Sequence, residues 1–312
     1  MEIAVNGWFA GDSASGSGQY INHLLNTIAE VAPGAHLSLL SPHAPTQAVD
    51  AWPQVDVVRL PLLALPRHIA KLWFEQVSVP AAARQLGADV LWVPYWAAPW
   101  WQPVPTVVTI HDLIPLLLPA YRGGVLQRLY TGLVSRTARR AAAVIAVSEA
   151  AKADIIAQLG IPAARVHAVL HGPNQEGMPP PTPEQLAHVR NRYDLPPAFF
   201  LYLGGFDVRK NLRGTLEAYR LYLDRGGDPA VRMLIAGKLP VGGSVFFPDP
   251  KKIVAELNLT AHVQFCGWID EADKPALYAL STAYIFPSLY EGFGMMVVEA
   301  MQAGTPVVTS DR

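Results

Sequence analysis

Three features of this 312-residue sequence predict two doubly wound α/β domains, each with a mostly parallel sheet. Short apolar runs alternate with longer helical patterns along most of the chain, as they do in βαβ units covered on both faces. One proline-rich break interrupts the alternation, which then restarts. Half of the residues are hydrophobic (51%) and 16% are charged, enough apolar material for two cores and too little charge for disorder.

The elements follow in order. In the first half MEIAV, HLSLL, VDVVRL, DVLWV, PTVVTI, AAVIAVS and RVHAVL read as buried strands. Between most of them lie helical patterns such as QYINHLLNTIAEVA, HIAKLWFEQVSVPAAARQ and EAAKADIIAQLG. HGPNQEGMPPPTPEQ then places five prolines and two glycines in 171–185. Proline removes backbone donors and breaks helix interiors, so this stretch suits neither a helix nor a central strand. The resulting domains are 1–172 and 186–312, with a linker over 173–185. In the second half FFLYLGG, VRMLIAG, HVQFCG and AYIFPS are strands, and TPVVTSDR is a further one at the end. No helix follows it, so the second domain is expected to be truncated at its C-terminus.

Composition narrows the function. Lys and Arg (24) balance Asp and Glu (25), so no basic field invites nucleic acid. The single cysteine, Cys266, cannot form an internal disulfide, and a cysteine-based metal site is not expected. Residues 1–20 lack the layout of a signal peptide, and no apolar run approaches the roughly 18 residues of a membrane span. A soluble cytoplasmic protein is predicted.

The most informative stretch is PSLYEGFGMMVVEAMQAGTPVV. A strand leads into a glycine-rich loop and then a helix, stopped by Gly304 and Pro306. Strand, glycine loop and helix N-terminus present backbone N–H groups to a phosphate. Glu291 lies before the helix and Glu299 inside it, spaced to hold hydroxyls at opposite ends of a phosphorylated ligand. YLGGFDVRKNL ends a strand at Gly204-Gly205 and sets Arg209 and Lys210 at the start of the next helix, with Asn211 as its cap. Cations there oppose the helix dipole, and a bound diphosphate would compensate.

In the first domain SASGSGQYINHLL places Gly16 and Gly18 between the first strand and helix. The third glycine of a dinucleotide fingerprint is replaced by Ile21, and the second strand ends without a ribose-binding acid, which argues against an NAD-dependent oxidoreductase. TVVTIHDLIPL puts His111 and Asp112 at the carboxyl end of a strand, where ligands bind in open α/β sheets. His111 is either a donor to a sugar or a structural histidine with Asp112 as a cap. Ser148 reads as a helix cap. Trp92, Trp96, Trp100 and Trp101 cluster in LWVPYWAAPWW, either as packing or as a surface for a sugar acceptor or a membrane.

The order GSGQY, HDL, AVSEAAK, YLGGFDVRKNL, IAGK, FCGWIDEADKPALYALSTAYIFPSLYEGFG and VVEAMQAGTPVV resembles glycosyltransferase family 4 over essentially the whole chain. The resemblance implies a retaining, metal-independent enzyme of the two-domain GT-B fold, with a nucleotide-diphosphate sugar as substrate and no cofactor. It places Glu291 on the donor hexose, Glu299 on the ribose, and Lys210 with Arg209 on the diphosphate, helped by backbone around Gly292, Phe293 and Gly294. His111 is expected near the reacting sugar, Gly16 and Gly18 in the loop facing the phosphates, and Phe265 to Trp268 near the base. Many members carry an arginine where this chain has Gly205, so here Arg209 and Lys210 alone must neutralise the diphosphate. The family also continues beyond Arg312. GDP-mannose or another hexose donor is implied, with a glycan or lipid-linked acceptor and a peripheral contact with the inner face of a membrane. An inactive nucleotide-sugar-binding fragment is the alternative.

Overall fold

The computed structural model describes residues 1–12, 15–43, 52, 54–173 and 179–311, which fall into two units, Met1–His171 and Gly172–Arg312. Residues 174–178 of the expected linker lie outside the described residues.

In the first unit, β1 (Glu2–Asn6), α1 (Gly16–Val31), β2 (His36–Ser41) and β3 (Val55–Arg59) come first. A helical segment follows, α2 (Arg67–Trp73) running through a π-turn (Phe74–Ser78) into α3 (Val79–Gln85). The sequence pattern predicts one regular helix here; the structure widens it by a turn of π-helix in the middle. Next are β4 (Val90–Val93), β5 (Thr106–Ile110), α4 (Ile114–Leu117), α5 (Val125–Ala138), β6 (Ala143–Ala146), α6 (Glu149–Leu159) and β7 (Val166–Ala168). The seven strands are parallel in the order β3-β2-β1-β4-β5-β6-β7. Residues 37–41 of β2 are all buried, as a strand covered on both faces requires. Val5, Ile21, Leu25, Leu37, Leu39 and Trp92 share one core between this sheet and α1. Ser148 caps α6 as expected, its Oγ accepting the Ala151 N–H at 2.9 Å.

The second unit opens with α7 (Pro183–Arg192), β8 (Ala198–Leu203), α8 (Leu212–Asp224) and β9 (Val231–Ala236). It continues with α9 (Pro250–Glu256), β10 (Val263–Gly267), α10 (Lys274–Leu280), β11 (Ala283–Phe286), α11 (Met295–Gln302) and β12 (Val307–Thr309). Helix α7 begins inside the stretch assigned to the linker. Pro183 sits at its first position, where a missing N–H costs nothing, and Thr182 with Gln185 forms a reciprocal capping box. The five strands are parallel in the order β10-β9-β8-β11-β12. Strand β8 serves two cores by strict alternation: Phe199, Leu201 and Leu203 face one, and Tyr202 faces the other.

Each sheet reverses its strand order once, between β1 and β4 and between β8 and β11. The carboxyl ends of those strands flank the crevice where doubly wound sheets bind ligands.

Candidate functional site

In the second unit the chemistry gathers beside β8 and β11. Past Gly204 and Gly205 the chain makes a short 3₁₀ turn, Val208–Lys210, and α8 starts only at Leu212. Arg209 and Lys210 therefore precede the helix instead of occupying its first turn. Asn211 makes the break: it adopts a left-handed φ of 52°, tolerable for Asn, and its Oδ1 caps the Gly214 N–H at 3.3 Å. Its Nδ2 donates to the Pro287 carbonyl at 3.0 Å, and the Leu289 N–H donates to the Arg209 carbonyl at 2.8 Å. The loop after β8 and the loop after β11 are thus stitched together.

Within that frame Glu291 Oε1 lies 2.6 Å from Arg209 Nη1 and 2.7 Å from Lys210 Nζ, and accepts the Ser288 hydroxyl at 2.9 Å. Arg209 also donates to the Tyr290 carbonyl at 3.0 Å and lies 3.5 Å from Asp207. Lys210 sits 4.7 Å over the Phe286 ring. None of the four charged side chains is more than 19% exposed, so their interactions are little screened. Burial holds the Lys210 pKa below the ordinary lysine value even though Glu291 pulls it upward. Two cations face two carboxylates, and the cluster is charge-balanced. Glu291, read in the sequence as a hexose ligand, is here the counter-ion of both cations.

Helix α11 is preceded by Gly294 at its N-cap, whose φ of +92° favours glycine. No side chain caps that N-terminus. Gly292 and Phe293 form the loop before it, and Gly205 lies across at the end of β8, its carbonyl accepting the Tyr202 hydroxyl at 2.8 Å. Glu299, one turn into α11, accepts the Tyr278 hydroxyl at 3.3 Å. Trp268, beyond β10, is exposed.

In the first unit, α1 is capped by Ser15, whose Oγ accepts the Gly18 N–H at 3.1 Å. A Cβ on Gly18 would fall 1.9 Å from the Asp12 carbonyl oxygen, whereas one on Gly16 would meet nothing. The chain's own backbone thus explains Gly18. His111 Nε2 lies 3.1 Å from the Pro94 carbonyl, an atom that only accepts, so Nε2 carries the proton. Burial lowers the His111 pKa, and the neutral ring then presents Nδ1 as an acceptor. In this arrangement the free ring nitrogen of His111 is an acceptor, where the sequence reading allowed either a donor to a sugar or a structural histidine. Its ring packs edge-on against Tyr20 at 4.8 Å and stacks on His171 at 5.9 Å. The Asp112 carboxylate accepts the Ile114 N–H at 3.0 Å just ahead of α4, but the N-cap of that helix is Leu113 and no side chain caps it, so Asp112 is not the helix cap anticipated.

A second cluster has no counterpart in the sequence reading. Glu75, in the π-turn, is fully buried and paired with Lys71 at 2.8 Å. It accepts hydroxyls from Tyr95 and Tyr130, each at 2.9 Å. Tyr95 also donates toward Asn6 at the end of β1. Apart from the i,i+4 pair with Lys71, its polar contacts are long-range, and only that helical spacing hints at it.

The family model for glycosyltransferase family 4 matches residues 14–176, more than half of the chain, and that for glycosyl transferases group 1 matches residues 185–312. The chain belongs to glycosyltransferase family 4. It is 28% identical to the O-antigen chain mannosyltransferase B of Escherichia coli, over 66% of this chain and 52% of that one. It is 31% identical to the D-rhamnosyltransferase WbpZ of Pseudomonas aeruginosa, over 66% of this chain and 49% of the relative. The chain thus spans about half the length of the curated relatives it matches. Sucrose-phosphate synthase from Thermosynechococcus elongatus has the same fold, with a TM-score of 0.72 at 22% identity, covering 100% of this chain and 81% of that one. Anabaena HepE in complex with UDP-glucose gives 0.67 at 20% identity, covering 100% and 80%. The fold is the GT-B architecture expected from the sequence.

Proposed function

We propose that the protein transfers a hexose from a nucleotide-diphosphate sugar to a glycan or lipid-linked acceptor, with retention at the anomeric carbon. The observation that carries this reading is the Arg209–Lys210–Glu291 cluster, set near the strand-order reversal of the second sheet in the same segment as the uncapped start of α11. The mannosyltransferases among the relatives support mannose as the hexose transferred.

The difficult step is cleavage of the bond between the anomeric carbon and the diphosphate. Negative charge builds on the leaving oxygens, where Arg209, Lys210 and the N–H groups at the start of α11 stabilise it. These two cations carry that charge without a divalent ion. As donor enters, the diphosphate replaces Glu291 on the cations, and the freed carboxylate turns to the hexose hydroxyls. Glu299 holds the ribose, steadied by Tyr278. The acceptor oxygen attacks the face from which the diphosphate departs, and its proton passes to a donor phosphate oxygen. In the first unit, neutral His111 offers Nδ1 as an acceptor for a sugar hydroxyl.

Calorimetric titration of GDP, UDP and ADP, with and without a chelator, tests the reading. Binding of one nucleotide that survives chelation and is lost in Lys210→Ala supports it. Absence of binding to folded protein, or binding indifferent to Lys210, overturns it.

A further inference from the structure

Glu75 is a fully buried carboxylate that the transfer chemistry leaves unused. It lies in the five-residue π-turn Phe74–Ser78, where two consecutive residues, Phe74 and Glu75, both face the interior. Single π-turns inside α-helices are rare and recur at functional sites. Lys71 neutralises the carboxylate at 2.8 Å. The Lys71 ammonium is itself ringed by Trp8, Phe9, Tyr95 and Tyr130, between 5.2 and 6.0 Å from their centroids.

A buried ion pair is weak evidence for stability. Taking two charges out of water costs about what their attraction returns, and an apolar pair of similar volume often does as well or better. What the ion pair adds is directed hydrogen bonding. Glu75 Oε1 accepts the Tyr95 hydroxyl and Oε2 that of Tyr130, each at 2.9 Å. Tyr95 stands just past β4, and its hydroxyl lies 3.2 Å from Asn6 Oδ1 at the end of β1. Asn6 Oδ1 in turn accepts the Trp8 N–H at 3.1 Å. The carboxylate thus joins the segments that follow β1 and β4, the two strands between which the first sheet reverses its order.

One of those segments includes the atom that governs His111. The Pro94 carbonyl, 3.1 Å from His111 Nε2, belongs to the planar peptide unit that Pro94 shares with Tyr95. Its direction therefore follows the seating of Tyr95. That residue is held at its hydroxyl by Glu75 and at its ring by Phe9, edge-on at 4.8 Å. The tautomer of a neutral imidazole is set by the hydrogen bond that one of its nitrogens makes.

We propose that Lys71 and Glu75 are positioning residues for His111: through Tyr95 they fix the Pro94 carbonyl, which keeps the imidazole proton on Nε2 and leaves Nδ1 open to a sugar hydroxyl. The use of Nδ1 by a sugar rests on the transfer reaction proposed above. The control of the imidazole does not, and it is tested without nucleotide or acceptor.

Nitrogen NMR of the full chain labelled with 15N-histidine provides the test, at a mildly alkaline pH where burial keeps the His111 ring neutral. The chain has nine histidines, so His111→Gln identifies the signals that matter. The parent is expected to show His111 as the Nε2–H form. Tyr95→Phe keeps the ring and removes only the hydroxyl. Lys71→Met/Glu75→Leu removes both charges together, the change that buried pairs tolerate best. Each is expected to move the His111 tautomer ratio by about tenfold toward the Nδ1–H form, the scale of one hydrogen bond. Tyr130→Phe takes a hydroxyl from the other carboxylate oxygen and should leave the His111 signals in place. Parent-like His111 signals in folded Tyr95→Phe, or in the folded double variant, overturn the proposal. So does an equal shift in Tyr130→Phe, which assigns the network to general support of the fold. Tyr95→Phe, which retains the ion pair, decides the matter even where the double variant does not fold.

Discussion

Replacing Glu291 by Gln separates two roles that the sequence alone merges. If Glu291 only held the hexose, a free nucleoside diphosphate, which has no hexose, would bind the variant as it binds the parent. The structure makes a different demand. Glu291 Oε1 is 2.6 Å from Arg209 and 2.7 Å from Lys210, so an incoming diphosphate must compete for both cations. At an effective dielectric near 20, each contact is worth about 6 kcal/mol of Coulomb attraction before desolvation is subtracted. Net values for hydrogen bonds to charged groups are about 1.5–3 kcal/mol. Removing the charge lifts this competition and also the repulsion between carboxylate and phosphate. Roughly 1.5–2 kcal/mol should return as diphosphate affinity, about 10- to 30-fold by calorimetry. Transfer from the full donor should fall instead, by on the order of a hundredfold, because the hexose loses its acceptor. A diphosphate affinity that is unchanged or weaker in well-folded Glu291→Gln refutes the reasoning.

Burial already lowers the Lys210 pKa, so diphosphate binding should weaken with rising pH before the ordinary lysine range is reached. In Lys210→Arg that alkaline loss should disappear, and an identical limb in the two proteins would count against it. Glu75→Gln leaves Lys71 beside a neutral partner in a buried network, and should cost about 2–4 kcal/mol in urea unfolding of the first unit. A change below about 0.5 kcal/mol would mean that the network contributes little. Burial, together with the neighbouring His111, lowers the His171 pKa to about 4. The unfolded chain binds a proton near pH 6.5 that the folded chain refuses, so this contribution is intact above about pH 6.5 and is lost as pH falls toward 4. Allowing for the ring's partial exposure, the loss is about 1–2 kcal/mol. His171→Gln should flatten this acid dependence; equal melting profiles between pH 6.5 and 4 would exclude it.

The alternation of apolar runs made the fold class legible, because strands buried on both faces leave continuous hydrophobic segments such as HLSLL. Caps were legible wherever the cue was local, as at Ser148 and Asn211. Boundaries failed where one residue overrides a pattern. Asn211 in a left-handed conformation ended the turn carrying Arg209 and Lys210 before the helix began, and Pro183 started α7 inside an apparent linker. At the candidate site the sequence singled out Arg209, Lys210 and Glu291, which the structure brings together, but their pairing was not visible. That Glu291 meets Lys210 depends on two loops joined through Asn211 and Leu289, across roughly eighty residues of sequence. The Glu75 network escaped for the same reason.

The charge-balanced cluster also bears on how such a site avoids a cost. Two buried cations waiting unpaired for a diphosphate would destabilise the empty protein, since uncompensated buried charge is among the most expensive features a core can carry. Glu291 neutralises them in the absence of ligand, held ready by the Ser288 hydroxyl. The same carboxylate cannot bind both cations fully and grip a hexose, so under the proposed function diphosphate and hexose occupancy would be linked: a donor carrying both would displace Glu291 and give it a new partner in one event. A free diphosphate displaces it and offers nothing in return. Such a site would favour intact donor over spent nucleotide through a single movable carboxylate, and the sign of the Glu291→Gln effect on the two ligands is its direct consequence.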